Sequence, residues 1–134
     1  TVFWGELSVP TGSPNGYTFF NAPVYLPQGA TLTGMTMYYR DTNSDSLTLG
    51  GDLMRKPLPS VSSGEVVGLS TYSNLIGQDV FQSDTTPDPT RAVIDNSQYA
   101  YWLNLYIYSA PSYLQLKAIR IDYTYTISMP LINR

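Results

Sequence analysis

The sequence predicts an all-β protein, an antiparallel β-sandwich that is jelly-roll-like and has about eight strands. Two observations predict this class. Ten prolines and ten glycines divide the 134 residues into short pieces, and no stretch keeps a helical period over three turns. Several pieces instead alternate in polarity with a period of two, which is typical of strands. At this length we expect one domain, 1–134, with apolar terminal segments at 1–9 and 127–134.

The segment 30–40 gives the first clear strand pattern. Successive side chains of a strand point to opposite faces, so alternate residues of this segment share a face. We expect the face with the larger apolar side chains to be buried. That face carries Thr33, Met35, Met37 and Tyr39.

The segment 99–109 is apolar or aromatic on both faces, which indicates a central strand or a face that binds a partner. One face carries Tyr99, Tyr101, Leu103, Leu105 and Ile107, and the other carries Ala100, Trp102, Asn104, Tyr106 and Tyr108.

The segment 113–128 changes phase part-way along. A one-residue bulge near 117–119 would bring the apolar residues of both halves onto the core, so we predict one there. The earlier half carries Leu114, Leu116 and Ala118, and the later half carries Ile119, Ile121, Tyr123, Tyr125 and Ile127.

Shorter elements and turns connect these strands. Proline, glycine and Asx residues predict a tight turn at 27–29 and a hairpin closed by 41–45. Val80 and Phe81, within 71–88, are expected in an edge strand or in a loop over the sheets. Weaker strands are predicted at 2–9, 16–21, 46–54, 64–70 and 91–95.

The composition narrows the functions that the chain can perform. It has no cysteine and no histidine, so a thiolate nucleophile and an imidazole base or metal ligand are both excluded. The net charge of −3 disfavours binding to nucleic acid phosphates. No apolar run approaches the length of a membrane span. We expect no enzyme, and the low charged fraction of 13% favours an extracellular or cell-surface protein.

One loop has the oxygen spacing of a calcium site. Asp41, Asn43 and Asp45 place oxygen side chains at alternate positions, and hard cations such as Ca²⁺ require several converging oxygens. The same residue types also form turns for local reasons, so a plain turn is the alternative. No other cofactor is expected.

The aromatic residues are the remaining candidates for a functional surface. Three interpretations stay open: they pack the core, they form an interface between copies of the chain, or they stack on sugar rings. The candidates for an oligomer or ligand surface are Trp4, Trp102, Tyr106, Tyr108, Tyr99 and Tyr101.

Three stretches of the chain resemble a family of uncharacterised secreted bacterial β-sandwich domains. The sequence Pro-x-Gly-Ala-Thr at 27–31 leads into a Tyr-rich strand, and Asp-Asn-x-x-Tyr-x-Tyr occupies 95–101. The stretch 116–125 is similar to the closing strand of those domains. The resemblance implies a secreted β-sandwich, and it implies no catalytic or binding residues.

These observations lead to two functional hypotheses. The first is a non-enzymatic extracellular structural protein that self-assembles as a homo-oligomer or filament, through aromatic sheet surfaces and terminal strands. The alternative is a carbohydrate-binding module that uses surface Trp and Tyr, with polysaccharide as its partner.

Overall fold

A computed structural model describes residues 2–7, 16–41, 49–59, 63–72, 77–84, 87–108 and 114–127. The described residues form strands and turns and no helix, which confirms the all-β class. The strands are β1 (Val2–Leu7), β2 (Tyr17–Pro23), β3 (Thr31–Asp41), β4 (Leu49–Pro57), β5 (Glu65–Tyr72), β6 (Gly77–Asp84), β7 (Tyr99–Tyr108) and β8 (Leu114–Thr124).

The strands pair antiparallel in two sheets. The first sheet has the order β1-β8-β3-β6, and the second has the order β2-β7-β4-β5. The first strand therefore pairs with the last, the second with the second-last, and so on. The pairs are β1 with β8, β2 with β7, β3 with β6 and β4 with β5. These four pairs alternate between the sheets, and β3·β8 and β4·β7 join them.

One hydrophobic core draws on both sheets. Among the described residues, strands β3 and β8 of the first sheet and β4 and β7 of the second contribute most of its side chains. The connections before β3 and β7 and Val67 of β5 also contribute. Burying such side chains is the main favourable contribution to folding. The largest fully buried side chains are Tyr39, Leu32, Met35, Met37, Leu49, Leu53, Ile94, Leu103, Leu114, Ile119 and Ile121.

The bulge predicted in the last strand is confirmed. The pairing of β8 with β3 and with β1 shifts by one residue between Leu116 and Ala118. Leu114 and Leu116 on one side of the shift and Ile119 and Ile121 on the other are all buried. Tyr125 and Ile127, predicted on the same buried face, are exposed because β8 ends at Thr124.

The predicted core face of β3 is wrong at one position, because β3 contains a second bulge. Met35, Met37 and Tyr39 are buried as predicted, but Thr33 is exposed and Leu32 is buried in its place. The pairing of β3 with β8 shifts between Leu32 and Gly34, so the alternation changes phase there.

Two other predictions about local structure are wrong. The segment 41–45 does not close a hairpin between its flanking strands, because β3 and β4 lie in different sheets. The segment 91–95 alternates between buried and exposed residues but is no strand, since it forms only an isolated bridge between Val93 and Thr31. The expected edge strand at Val80 and Phe81 is present as β6, which lies at an edge of the first sheet.

Asp95 holds together the two connections that precede β3 and β7. Its carboxylate accepts hydrogen bonds from the Ser97 hydroxyl at 2.6 Å and from Gln28 Nε2 at 3.2 Å. Asn96 donates from its side chain to the Leu26 carbonyl at 2.8 Å. The bonds from Ser97 first, and then from Gln28, hold the pKa of Asp95 below its usual value.

The predicted tight turn at 27–29 belongs to the same region. Ala30 N donates to the Pro27 carbonyl at 3.1 Å, and Gly29 has a φ of 78°. A positive φ at this position is the requirement of a type II turn, so glycine is favoured there. The prediction of a turn at these residues is confirmed.

Gly68 lets β5 approach the connection that precedes β7. Its φ is 87°, and a Cβ built there would overlap the backbone nitrogen of Asp88. That nitrogen donates to the carbonyl of Val67 at 3.2 Å. Arg91 fixes the same connection by donating to the Val66 carbonyl at 2.8 Å.

We predict that Gly68→Ala destabilises the fold more than Gly29→Ala. Both glycines have positive φ, and alanine there costs about 1–2 kcal/mol of backbone strain. A Cβ at Gly29 meets nothing within 4 Å, whereas a Cβ at Gly68 meets Asp88. We expect this overlap to add about 1–3 kcal/mol to the loss of unfolding free energy, measured by urea denaturation. Equal losses for the two variants would contradict the close approach at Gly68.

We predict that the Asp95 carboxylate stabilises the protein only at pH values where it is ionised. Because its folded pKa is lowered, its contribution is present above the unfolded pKa of about 3.9 and is lost as pH falls through the folded value. Asp95→Asn keeps an acceptor oxygen and removes the charge. Its Tm should lie below that of the wild type at pH 7, and the difference should disappear at low pH. A difference that is the same at both pH values would show that the charge has no role.

Candidate functional site

Strand β7 has one face in the core and one face turned outward. Leu103, Leu105 and Ile107 are buried, and the residues between them are half-buried. β7 lies between β2 and β4, which confirms that it is a central strand. The outward residues of β2 and β4 lie beside those of β7, so the outer face of the second sheet combines side chains from three strands.

Four aromatic rings come together at one end of this face. We call Tyr17, Phe19, Tyr106 and Tyr108 the aromatic cluster. Tyr17 lies opposite Tyr108 and Phe19 lies opposite Tyr106 in the pairing of β2 with β7. The ring centroids of Tyr17 and Tyr108 are 5.1 Å apart at 87°, and those of Tyr17 and Tyr106 are 5.9 Å apart at 77°. These edge-to-face contacts hold the rings while Phe19 stays 62% exposed and Tyr17 47% exposed.

A row of polar side chains crosses the sheet next to the aromatic cluster. Asn21 of β2 lies opposite Asn104 of β7, which lies opposite Asp52 of β4. We call these three residues the polar row. Directly opposed residues of antiparallel strands have Cβ atoms about 4.5–5.5 Å apart, so neighbouring members of the row can contact one ligand together.

A shallow cleft lies where the aromatic cluster meets the polar row. It has a volume of about 260 Å³ and is lined by Tyr17, Phe19, Tyr106, Asp52 and Asn104. Three aromatic rings thus line the cleft together with one carboxylate and one amide. Such a lining offers apolar contact together with hydrogen-bond acceptors and donors.

At the other end of β7, Trp102 on the outer face and Tyr99 on the face that carries the core both make structural contacts. Trp102 packs against Gly64, where an added Cβ would overlap the indole ring. The Arg55 guanidinium lies over the Tyr99 ring at 4.2 Å and donates to Glu65 at 2.7 Å. Arg91 pairs with the other oxygen of Glu65 at 3.5 Å. These residues therefore do not line the cleft.

The sequence candidates thus occupy different places. Tyr106 and Tyr108 belong to the aromatic cluster. Tyr101 is only 5% exposed, and its hydroxyl accepts a hydrogen bond from Asp95 N at 3.0 Å. Burial raises the pKa of its phenol. Trp4 lies on β1 of the first sheet, opposite Ala118, and its side chain is outside the described part of the chain.

Sequence reasoning missed most of the residues that line the cleft. Tyr17 and Phe19 fall in a predicted strand, and their spacing of two places them on one face, but neither stood out among many aromatic residues. Asp52 and Asn104 meet only through the pairing of β4 with β7. That pairing joins residues far apart in the chain, so no local sequence pattern predicts it.

Of the three residues of the calcium hypothesis, the structure describes one. Asp41, at the end of β3, is buried, whereas Asn43 and Asp45 lie outside the described residues. Among the residues that are described, no three acidic side chains come together in a way that could hold a metal ion. The proposed site stays a prediction.

Comparisons of the chain with protein-family models, with curated proteins and with solved structures find no match. The resemblance to secreted bacterial β-sandwich domains therefore stays a prediction. Within the described ranges, the structure has no helix of the length and apolar character needed to cross a membrane.

Proposed function

We propose that this chain is a β-sandwich of jelly-roll topology that binds carbohydrate at the outer face of its second sheet. The observation that carries the proposal is the cleft, in which aromatic rings adjoin an in-register row of amide and carboxylate groups. The proposal includes the expected extracellular setting and assigns the chain no catalytic role.

The strand pairing supports the jelly-roll part of this proposal. In a jelly roll, an antiparallel ribbon folds so that its strand pairs alternate between two sheets. The pairs β1·β8, β2·β7, β3·β6 and β4·β5 alternate in this way. Buried side chains from both sheets belong to one core, as expected when two sheets pack face to face.

The aromatic cluster supplies the apolar contact that a sugar needs. A pyranose ring has C–H groups on its faces and hydroxyl groups around its rim, so its faces pack against aromatic rings. Clustered apolar side chains on an exposed face are typical of binding surfaces. Phe19, which has no polar atom in its side chain, is 62% exposed in this cluster.

The polar row favours a sugar over a second copy of the chain as the occupant. The centres of protein interfaces are depleted of charged residues. Asp52 lies inside the cleft, where a protein partner would remove it from water. A sugar instead offers hydroxyl donors to the carboxylate.

We predict that Phe19→Ala and Tyr106→Ala each weaken glycan binding about tenfold or more, a loss of about 1.4 kcal/mol. Both variants remove a ring from the cleft. Tyr25→Ala is the matched control, because Tyr25 is 85% exposed but follows the far end of β2. Binding would be screened on a panel of soluble oligosaccharides and insoluble polysaccharides, and affinities measured by calorimetry.

Circular dichroism would first show that the three variants fold as the wild type does. Wild-type affinity in both cleft variants, or no binding across the whole panel, would refute the proposed function. Loss of binding in Tyr25→Ala alone would move the site to the other end of the sheet.

Self-assembly is a second candidate, favoured by other exposed apolar residues and by a sheet edge. Tyr25, Val93, Tyr125 and Ile127 are exposed beyond or beside the strand ends, and Ile127 is 76% exposed. β1 lies at an edge of the first sheet, where a strand of another copy can pair with it. The terminal segment 128–134 lies outside the described residues.

If this second candidate is correct, the mass in solution will exceed 14.9 kDa and rise in discrete multiples with concentration. Ile127→Ser should lower the fraction of assembled protein, and deletion of 127–134 should lower it further. Light scattering after size-exclusion chromatography measures this mass. A mass of one chain at every concentration would refute self-assembly and would leave the carbohydrate proposal intact.

A further inference from the structure

We infer that the cleft accepts a single ring of a neutral sugar, from a soluble glycan or a chain end, and that Asp52 and Asn104 bind its neighbouring hydroxyl groups. This inference rests on the proposed function and names the class of ligand. Four features of the described residues carry it: the angles between the rings, the size of the cleft, the chemistry of the polar row and the distribution of charge.

The ring angles disfavour a flat crystalline polysaccharide as the ligand. Such a surface needs aromatic rings that lie in one plane. Tyr17 is instead nearly perpendicular to Tyr106 and Tyr108, at 77° and 87°, and Phe19 is tilted by 44° from Tyr17 and by 49° from Tyr106. Rings in this arrangement offer no shared plane, and a small ligand can pack against them in the shallow cleft.

The cleft itself has room for about one sugar ring. Sites for drug-sized molecules have volumes of about 300–1,000 Å³. The cleft, at about 260 Å³, falls below this range. Since the cleft is open on the solvent side, the rest of a glycan can extend away from the sheet.

Asp52 and Asn104 form a donor and acceptor pair suited to adjacent hydroxyl groups. They lie directly opposite each other on β4 and β7. A carboxylate has about four acceptor positions and can accept from more than one hydroxyl, while an amide both donates and accepts. Hydrogen bonds to a charged acceptor are the stronger kind, so Asp52 should contribute more to affinity than Asn104.

The charge of the cleft favours a neutral sugar over an acidic one. Asp52 is the one charged group among the residues that line the described cleft, and it repels a ligand carboxylate or sulfate. Lys56 lies four residues along β4, roughly 13 Å away at about 3.3 Å per residue. That separation exceeds the Debye length of about 8 Å in physiological salt. Arg55 and Arg91 are paired with Glu65.

The test compares two variants that change the net charge equally. Asp52→Asn keeps the shape of the side chain and removes the carboxylate from the cleft. Asp122→Asn is the matched control, because Asp122 lies in the first sheet, 3.0 Å from Arg120. The probes are the methyl glycosides of glucose, galactose and mannose, sodium glucuronate, and microcrystalline cellulose and chitin.

We expect at least one methyl glycoside to bind more tightly than glucuronate to the wild type. Asp52→Asn should weaken that binding about tenfold and reduce the preference over glucuronate, and Asp122→Asn should change neither. Saturation-transfer NMR and calorimetry measure these affinities, and Phe19→Ala reports whether the cleft is the site used.

The outcomes separate this inference from the proposed function. Binding of glucuronate or crystalline polysaccharide that Phe19→Ala removes and Asp52→Asn leaves unchanged would overturn the inference and keep the carbohydrate site. Absence of any binding that depends on Phe19 would overturn both. Equal effects of Asp52→Asn and Asp122→Asn would show that net charge acts on binding, and would overturn the role of Asp52.

Discussion

The alternation of side chains along β7 is the constraint on which the rest of the structure depends. Leu103, Leu105 and Ile107 point into the core, so the side chains between them must point outward. Because β7 lies between β2 and β4, its outward residues acquire neighbours on both sides. The same period of two therefore builds the core on one face and the candidate site on the other. A shift by one residue would exchange the two faces.

Bulges allow strands of the first sheet to bury their apolar side chains where apolar and polar residues do not alternate perfectly. In β8, one extra residue between Leu116 and Ile119 turns both halves of a long strand inward. In β3, the shift between Leu32 and Gly34 buries Leu32 and exposes Thr33. A bulge of this kind is recognisable in sequence only when the apolar residues themselves change phase. They do so clearly in β8, and in β3 the single Leu32 was not enough to reveal the change.

Local patterns predicted the strands better than they predicted the partners of the strands. Alternation and turn residues are properties of a few neighbouring positions, and they identified Met35, Met37 and Tyr39 as buried and 27–29 as a turn. The hairpin expected at 41–45 failed because turn residues report that the chain changes direction and not which strand it then joins. The site depends on such partners: Phe19 meets Tyr106, and Asp52 meets Asn104, across long stretches of sequence. Local reasoning therefore named the β7 half of the aromatic cluster and missed the β2 half.

The candidate site depends on the strand order of the second sheet, because the three residues of the polar row lie on three different strands. Asn21, Asn104 and Asp52 come from β2, β7 and β4, and no two of these strands follow each other in the chain. Each of these pairings therefore requires that β2, β7 and β4 lie side by side in this order. The aromatic rings of Tyr17 and Tyr108 contact each other by the same pairing, so they stabilise the register that the polar row requires. Exposed rings that contact each other at steep angles thus stabilise the pairing of an edge strand and at the same time line the cleft.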